Sequence, residues 1–100
     1  MAVRFPPGAS VVATERQLST TLGDEVIILG LDDSTYYGLT SVGVRIWDLL
    51  KSPRTIADIL SVITDEYDVD RQRAAADVDA LLADLESRGL VAISQPRADR

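Results

Sequence analysis

The stretch YYGLTSVGVRIWDLL, residues 36–50, decides the fold of this chain. Its first residues alternate as in a β-strand, and its later residues repeat apolar side chains at helical spacing. The apolar residues of the later part share one helix face at i, i+3, i+4 and i+7 and are Gly43, Ile46, Trp47 and Leu50. Thr40 lies at the junction, where its hydroxyl is expected to cap the first turn of the helix. The stretch predicts a strand that passes directly into a helix. An open strand edge there would offer unpaired backbone groups to a peptide.

The residues before this stretch predict a β-hairpin. Residues 25–31, EVIILGL, form a short, mainly apolar run rich in β-branched side chains, as in a buried strand. Residues 32–34, DDS, supply turn chemistry, because Asp and Ser side chains hydrogen-bond nearby backbone. Residues 35–39 then form the returning strand, on which Tyr37 and Leu39 share one face.

One further strand is expected closer to the N-terminus. It lies at Val11–Glu15 or at Leu18–Thr21, and the sequence does not choose between them. The Gly23-Asp24 pair that follows is a turn signal. Residues 1–10 contain two prolines and a glycine and are expected to form a flexible arm.

Three helices are expected after the hairpin. The first covers Ser41–Leu50, and Pro53 ends it because proline has no N–H to donate. The second starts at Thr55, whose hydroxyl caps it with Asp58 three residues on, and runs to about Glu66.

The third helix carries its own start and stop signals. Asp70 is expected to cap its first turn, and Gly89 to end it in the left-handed conformation, with Leu90 folding back on Leu85. Its apolar stripe consists of Ala74, Val78, Leu81, Leu82 and Leu85. Val91–Ile93 add a short extended segment.

A run of strands followed by a run of helices predicts an α+β fold. We expect a three-stranded antiparallel sheet followed by three helices, in a winged helix-turn-helix-like arrangement. The domain is expected over residues 11–93, between the flexible arm at 1–10 and a flexible tail at 94–100.

The composition excludes several kinds of chemistry. The chain of 100 residues has no Cys and no His. Cys/His zinc sites and Ser-His or Cys-His catalysis are therefore excluded within it. Sixteen acidic residues remain as candidates for acid–base work, but we predict no catalytic residue, no cofactor and no metal site.

Charge and hydropathy narrow the choice of partners. The formal net charge is −6, which disfavours nucleic acid and anionic membranes because both carry negative charge. The sequence contains no apolar run of about 18 residues that would cross a membrane. Residues 1–10 lack the apolar region of a secretory signal, so a cytoplasmic location is expected.

The order of these motifs resembles the PqqD-like family, whose members are also called RiPP recognition elements. The matching motifs are VIIL at 26–29, YYGLTSVGVRIWDLL at 36–50, TIADIL at 55–60, DVDRQRAAADVDALLADL at 68–85 and RGLV at 88–91. Within the family, the chain is most similar to the small stand-alone leader-binding proteins of lasso-peptide biosynthesis.

The resemblance implies a non-catalytic chaperone that binds the leader of a ribosomally synthesised precursor peptide and presents it to a maturation enzyme. In lasso-peptide biosynthesis that partner is the leader peptidase, a transglutaminase-like cysteine protease. The leader adds as a strand beside the third strand of the sheet and packs on the third helix. Carried over residue by residue, the strand part of this peptide-binding site is Thr35, Tyr36, Tyr37, Gly38 and Leu39. The helix part is Val69, Arg73, Ala74, Asp77, Val78 and Leu81.

Two other functions compete with leader binding. A winged-helix regulator would insert the third helix into DNA, yet that helix carries more acidic than basic residues, which opposes contact with phosphates. A subunit that only docks to an enzyme would bind no leader, and its strand edge would be covered. A free edge on the third strand therefore favours leader binding.

Overall fold

The computed structural model describes residues 4–32 and 34–94. The strands are β1 Ser10–Ala13, β2 Gln17–Leu22, β3 Glu25–Gly30, β4 Tyr36–Thr40, β5 Arg54–Thr55 and β6 Val91–Ser94. The helices are α1 Val42–Leu49, α2 Ile56–Glu66 and α3 Arg71–Ser87. The first residues of the predicted arm (1–3), Asp33 of the predicted turn and residues 95–100 of the predicted tail lie outside the described residues.

The strands form two antiparallel three-stranded sheets, with the orders β2–β3–β4 and β5–β1–β6. The first is the sheet predicted from the hairpin, and its position before three helices confirms the α+β fold. Both candidates for the N-terminal strand form strands, one in each sheet. β1 pairs with β6 from Ser10↔Ser94 to Ala13↔Val91, so the second sheet joins the two ends of the domain.

The cap predicted at the start of α1 is wrong. Thr40 stays in β4, where it pairs with Glu25 of β3. The backbone turns one residue later, at Ser41, which has a positive φ of 53° and is the N-cap residue without any side-chain cap hydrogen bond. The chain therefore enters α1 through a backbone turn, because the strand pairing extends to Thr40.

The other predicted helix ends are confirmed. The Thr55 hydroxyl accepts a hydrogen bond from the Asp58 N–H at 3.1 Å, and the Asp70 carboxylate accepts one from the Arg73 N–H at 3.1 Å. Gly89 has a φ of 75° and ends α3. Leu90 N–H then donates to the Leu85 carbonyl, which satisfies one of the helix's free C-terminal carbonyls.

The core lies between the inner face of the β2–β3–β4 sheet and the three helices. The sheet contributes Val26, Ile28 and Leu39, all of which are buried. The predicted faces of α1 and α3 are buried as well, except that Gly43 and Leu81 are only partly covered. No helix in the described ranges is long and apolar enough to span a membrane.

Residues 4–9 form no helix or strand, but they contact the domain closely. The buried Asp79 carboxylate of α3 accepts hydrogen bonds from the Arg4 and Phe5 N–H groups at 2.9 and 3.2 Å and pairs with the Arg4 guanidinium at 3.0 Å. Ala9 is fully buried, and its carbonyl accepts from the Ile56 N–H. The boundaries of a flexible arm and a flexible tail stay a prediction.

Candidate functional site

β4 is an edge strand whose outer side is open. Within the described residues it pairs only with β3, from Glu25↔Thr40 to Leu29↔Tyr36. Gly30 N–H donates to the Thr35 carbonyl just beyond that ladder. Because hydrogen-bonded and non-hydrogen-bonded pairs alternate in antiparallel sheets, the residues of β4 whose N–H and C=O groups point away from β3 are Tyr36, Gly38 and Thr40.

The side chains of β4 alternate between the two faces of the sheet, as the sequence predicted. Leu39 is 5% exposed and Tyr37 is half-buried on the inner face. Tyr36 is 71% exposed on the outer face. A Cβ added to Gly38 on that face would meet only the Ile27 side chain at 3.7 Å, so the structure leaves room there for a small side chain.

A largely apolar groove of about 190 Å³ lies between the start of α1, which follows β4 directly, and the first half of α3. Its floor and walls include all six residues that the resemblance placed on the helix part of the site, namely Val69, Arg73, Ala74, Asp77, Val78 and Leu81. The groove and the open edge are therefore neighbours in space. A strand added beside β4 would place alternate side chains toward the groove.

The sequence did not assign four further lining residues to the site, namely Val42, Gly43, Ile46 and Ile63. Of these four, Gly43 is the one that the sequence could have indicated, because it interrupts an otherwise bulky helix face. A Cβ added to it would lie 3.2 Å from the Leu39 side chain. The absence of a side chain lets α1 approach β4 closely.

The strand part of the predicted site forms the edge beside the groove and does not line the groove itself. Tyr36, Tyr37, Gly38 and Leu39 all lie on β4, and Thr35 immediately precedes it. These residues differ in the direction of their backbone groups. The N–H and C=O groups of Tyr37 and Leu39 bond to β3. Tyr36 and Gly38 are the members that present backbone groups outward.

The groove has a charged rim on α3. Arg73 Nε lies 3.7 Å from Asp77 Oδ2, and both side chains are largely exposed. The two side chains pair locally, but an exposed pair at this distance is weak. Both groups are available to a peptide in the groove.

Tyr37 extends past the groove to the second half of α3. Its hydroxyl donates to Asp84 Oδ2 at 2.7 Å, and the Arg88 guanidinium lies over its ring at 5.0 Å. Burial and the hydrogen bond to the Asp84 carboxylate raise the pKa of Tyr37 to about 12. The same hydrogen bond holds the pKa of Asp84 below its usual value, with Arg88 nearby contributing in the same direction.

The outer face of the β2–β3–β4 sheet carries a group of apolar side chains that the described residues leave uncovered. Leu18, Leu29 and Tyr36 are cross-strand neighbours on it, and Leu18 and Tyr36 are mostly exposed. Leu22 is exposed on the same face, and Leu31, at the end of β3, is exposed too. Of the large hydrophobic side chains exposed in the described ranges, only Val69 lies elsewhere, in the groove.

Comparisons with known proteins agree with this geometry. The family described as coenzyme PQQ synthesis protein D (PqqD) matches residues 25–91. A solved structure described as TbiB1 in complex with the TbiA(beta) leader peptide superposes with a TM-score of 0.74 and 34% sequence identity, covering 88% of this chain and 99% of that one. None of the curated proteins compared matches the chain. The family resemblance drawn from the motifs is confirmed.

Proposed function

We propose a leader-binding function for this chain, which belongs to the PqqD family. In this proposal it binds the leader of a ribosomally synthesised precursor peptide as an added antiparallel strand beside β4. The observation that carries the proposal is the open β4 edge directly beside an apolar groove. The leader peptide bound by TbiB1, at 34% identity, supports it.

The edge and the groove contribute to binding in different ways. The N–H and C=O groups of Tyr36, Gly38 and Thr40 supply main-chain hydrogen bonds, which give affinity with little sequence preference. The groove supplies specificity, since its floor accepts apolar side chains. A disordered leader loses conformational entropy on binding, so burial of apolar side chains in the groove must offset that loss.

We propose further that the bound leader is presented to a maturation enzyme, the leader peptidase of lasso-peptide biosynthesis, a transglutaminase-like cysteine protease. The exposed apolar face around Leu18 and Tyr36 supports a protein partner, because contiguous exposed apolar patches mark interaction surfaces. The chain itself acts without catalysis in this proposal, since His and Cys are absent from its sequence.

A titration with two ligands tests the function. The first is the synthetic leader of a precursor peptide encoded beside this chain, and the second is duplex DNA. We expect saturable leader binding, with amide shift changes at Tyr36, Gly38 and along the first half of α3. Salt-sensitive binding of DNA without binding of the leader would contradict the proposal and favour the winged-helix regulator.

A second titration separates binding from presentation. The purified peptidase is added to the chain with and without bound leader, and amide shifts of β2 and β3 are followed. Presentation predicts changes at Leu18 and Leu29, and Leu18→Glu should abolish them while leader affinity stays unchanged. If the chain bound the leader but its amide shifts did not respond to the peptidase, presentation would be rejected and leader binding would stand.

A further inference from the structure

Three side chains from two elements meet at the far end of the groove. The groove follows α3 as far as Leu81, and Asp84 lies about one turn beyond it. There the Tyr37 hydroxyl donates to Asp84 at 2.7 Å. Arg88 holds the other carboxylate oxygen at 3.4 Å and covers the Tyr37 ring. Neither Asp84 nor Arg88 lines the groove.

The position of these contacts matters because β4 is an edge strand. Among the described residues, backbone hydrogen bonds hold it on the β3 side only. Its distance from α3 therefore depends on side-chain contacts. Near its C-terminal end, Leu39 packs against Gly43 of α1. Two residues earlier, Tyr37 provides the tie to α3. A charge-assisted hydrogen bond of this kind is short and directional, and it fixes geometry better than apolar packing does.

We propose that Tyr37, Asp84 and Arg88 form a latch that sets the spacing between the β4 edge and α3 and thereby positions the edge for an incoming peptide strand. Asp84 and Arg88 are positioning residues in this proposal, and Tyr37 acts through its hydrogen bond to α3. The latch rests on the proposed peptide-binding function, because the spacing matters only if a strand enters beside β4.

Matched hydroxyl deletions test the latch. Tyr37→Phe removes one hydroxyl and keeps the ring, and Asp84→Asn keeps the shape of the acceptor. Tyr67→Phe, at the end of α2 and outside the groove lining, is the control. With the synthetic leader of a precursor encoded beside this chain as probe, we expect about a five- to tenfold rise in Kd for Tyr37→Phe and for Asp84→Asn, mostly through faster dissociation. Tyr67→Phe should bind as the wild type does.

A double variant distinguishes a latch from two separate contacts. If the two groups act as one unit, Tyr37→Phe combined with Asp84→Asn weakens binding no more than either change alone. Additive losses would overturn the latch, because they mean that each side chain meets the peptide independently. Unchanged Kd values in both single variants, with binding intact in the wild type, would also overturn it.

Hydrogen exchange without peptide keeps the latch testable if the leader-binding function fails. The Tyr37 and Leu39 amides bond to β3, so a loosened β4 should exchange them at least about threefold faster in Tyr37→Phe, while Leu18 and Thr20 amides on β2 stay unchanged. A wild type that binds no leader would reject the function. Faster exchange confined to β4 would still show that the contact sets the spacing between β4 and α3, and unchanged exchange would overturn the latch.

Discussion

The β2–β3–β4 sheet has two edge strands, and they differ in what lies beside them. On β4 the outward backbone groups belong to Tyr36, Gly38 and Thr40, and the neighbouring groove is lined mainly by apolar side chains. On β2, Leu31 N–H donates to the Arg16 carbonyl, so the alternation leaves Gln17, Ser19 and Thr21 facing outward. Both edges thus offer the same backbone chemistry.

The spaces beside the two edges are chemically different. The cleft near β2 is larger, at about 600 Å³, but hydroxyl and charged side chains dominate its lining: Ser19, Thr20, Thr21, Ser41, Arg45, Asp48 and Lys51. Its charges are already paired, since Arg45 contacts both Glu66 and Asp48. Either open edge can supply main-chain hydrogen bonds to a peptide. Of the two, the β4 edge also has an apolar groove beside it, in which apolar peptide side chains can be buried.

The largest contrast between the edges is expected from buried charge. Leu39→Asp places a carboxylate in the core and should lower the free energy of unfolding by at least about 3 kcal/mol, the cost of truncating a buried leucine plus desolvation of the charge. Thr21→Asp on the exposed β2 strand should leave stability almost unchanged. Urea unfolding of both variants measures this. A stable, folded Leu39→Asp variant would contradict the burial of the inner β4 face.

The next contrast separates binding from folding. Gly38→Pro on β4 and Ser19→Pro on β2 each remove an outward N–H that makes no hydrogen bond to β3. Edge strands tolerate proline at such positions. We expect Gly38→Pro to raise the leader Kd at least about tenfold, because it loses a main-chain bond and blocks close approach. Ser19→Pro should bind normally. Equal losses in the two variants would show that the edges are not functionally distinct.

The sequence predicts the elements that rest on local chemistry. The caps at Thr55 and Asp70 and the left-handed Gly89 were all predictable, because each depends on residues within a few positions of one another. Val69, which precedes α3, and the α3 residues from Arg73 to Leu81 were assigned through the family resemblance. Helical spacing explains why the α3 residues meet in one groove.

What the sequence does not predict depends on distant contacts. The β5–β1–β6 sheet pairs Ser10 with both Thr55 and Ser94, and strands this short carry no readable alternation. Asp79 resembles any exposed helical acid until Arg4 is brought to it across the fold. The Tyr37–Asp84 bond likewise joins residues 47 positions apart. The cap predicted at Thr40 was wrong because this residue, although of a favourable capping type, pairs with Glu25 in the sheet.

A smaller difference is expected in the pH dependence of stability. The pKa of Tyr37 is raised to about 12, so its contribution to stability is fully present below the unfolded value of about 10 and is lost as pH rises from there toward 12. The pKa of Asp84 is lowered, so its contribution is present above the unfolded value and is lost as pH falls through the folded one. Stability curves of the wild type and Tyr37→Phe should run parallel near neutral pH and converge at both extremes. Parallel curves up to pH 12 would contradict the hydrogen bond.

The smallest effect is expected at the groove rim, where a pair of charge reversals tests the chemistry of the peptide. Arg73→Glu and Asp77→Lys alter exposed side chains that hold each other only weakly, so neither should change the melting temperature appreciably. Leader affinity should respond in opposite directions, because the two variants change the local charge with opposite signs. An acidic leader segment would bind Arg73→Glu less tightly and Asp77→Lys more tightly. Both shifts should shrink as salt screens the rim. Shifts in the same direction would mean that the rim contributes through side-chain packing, and the apolar floor would then carry the discrimination between peptides alone.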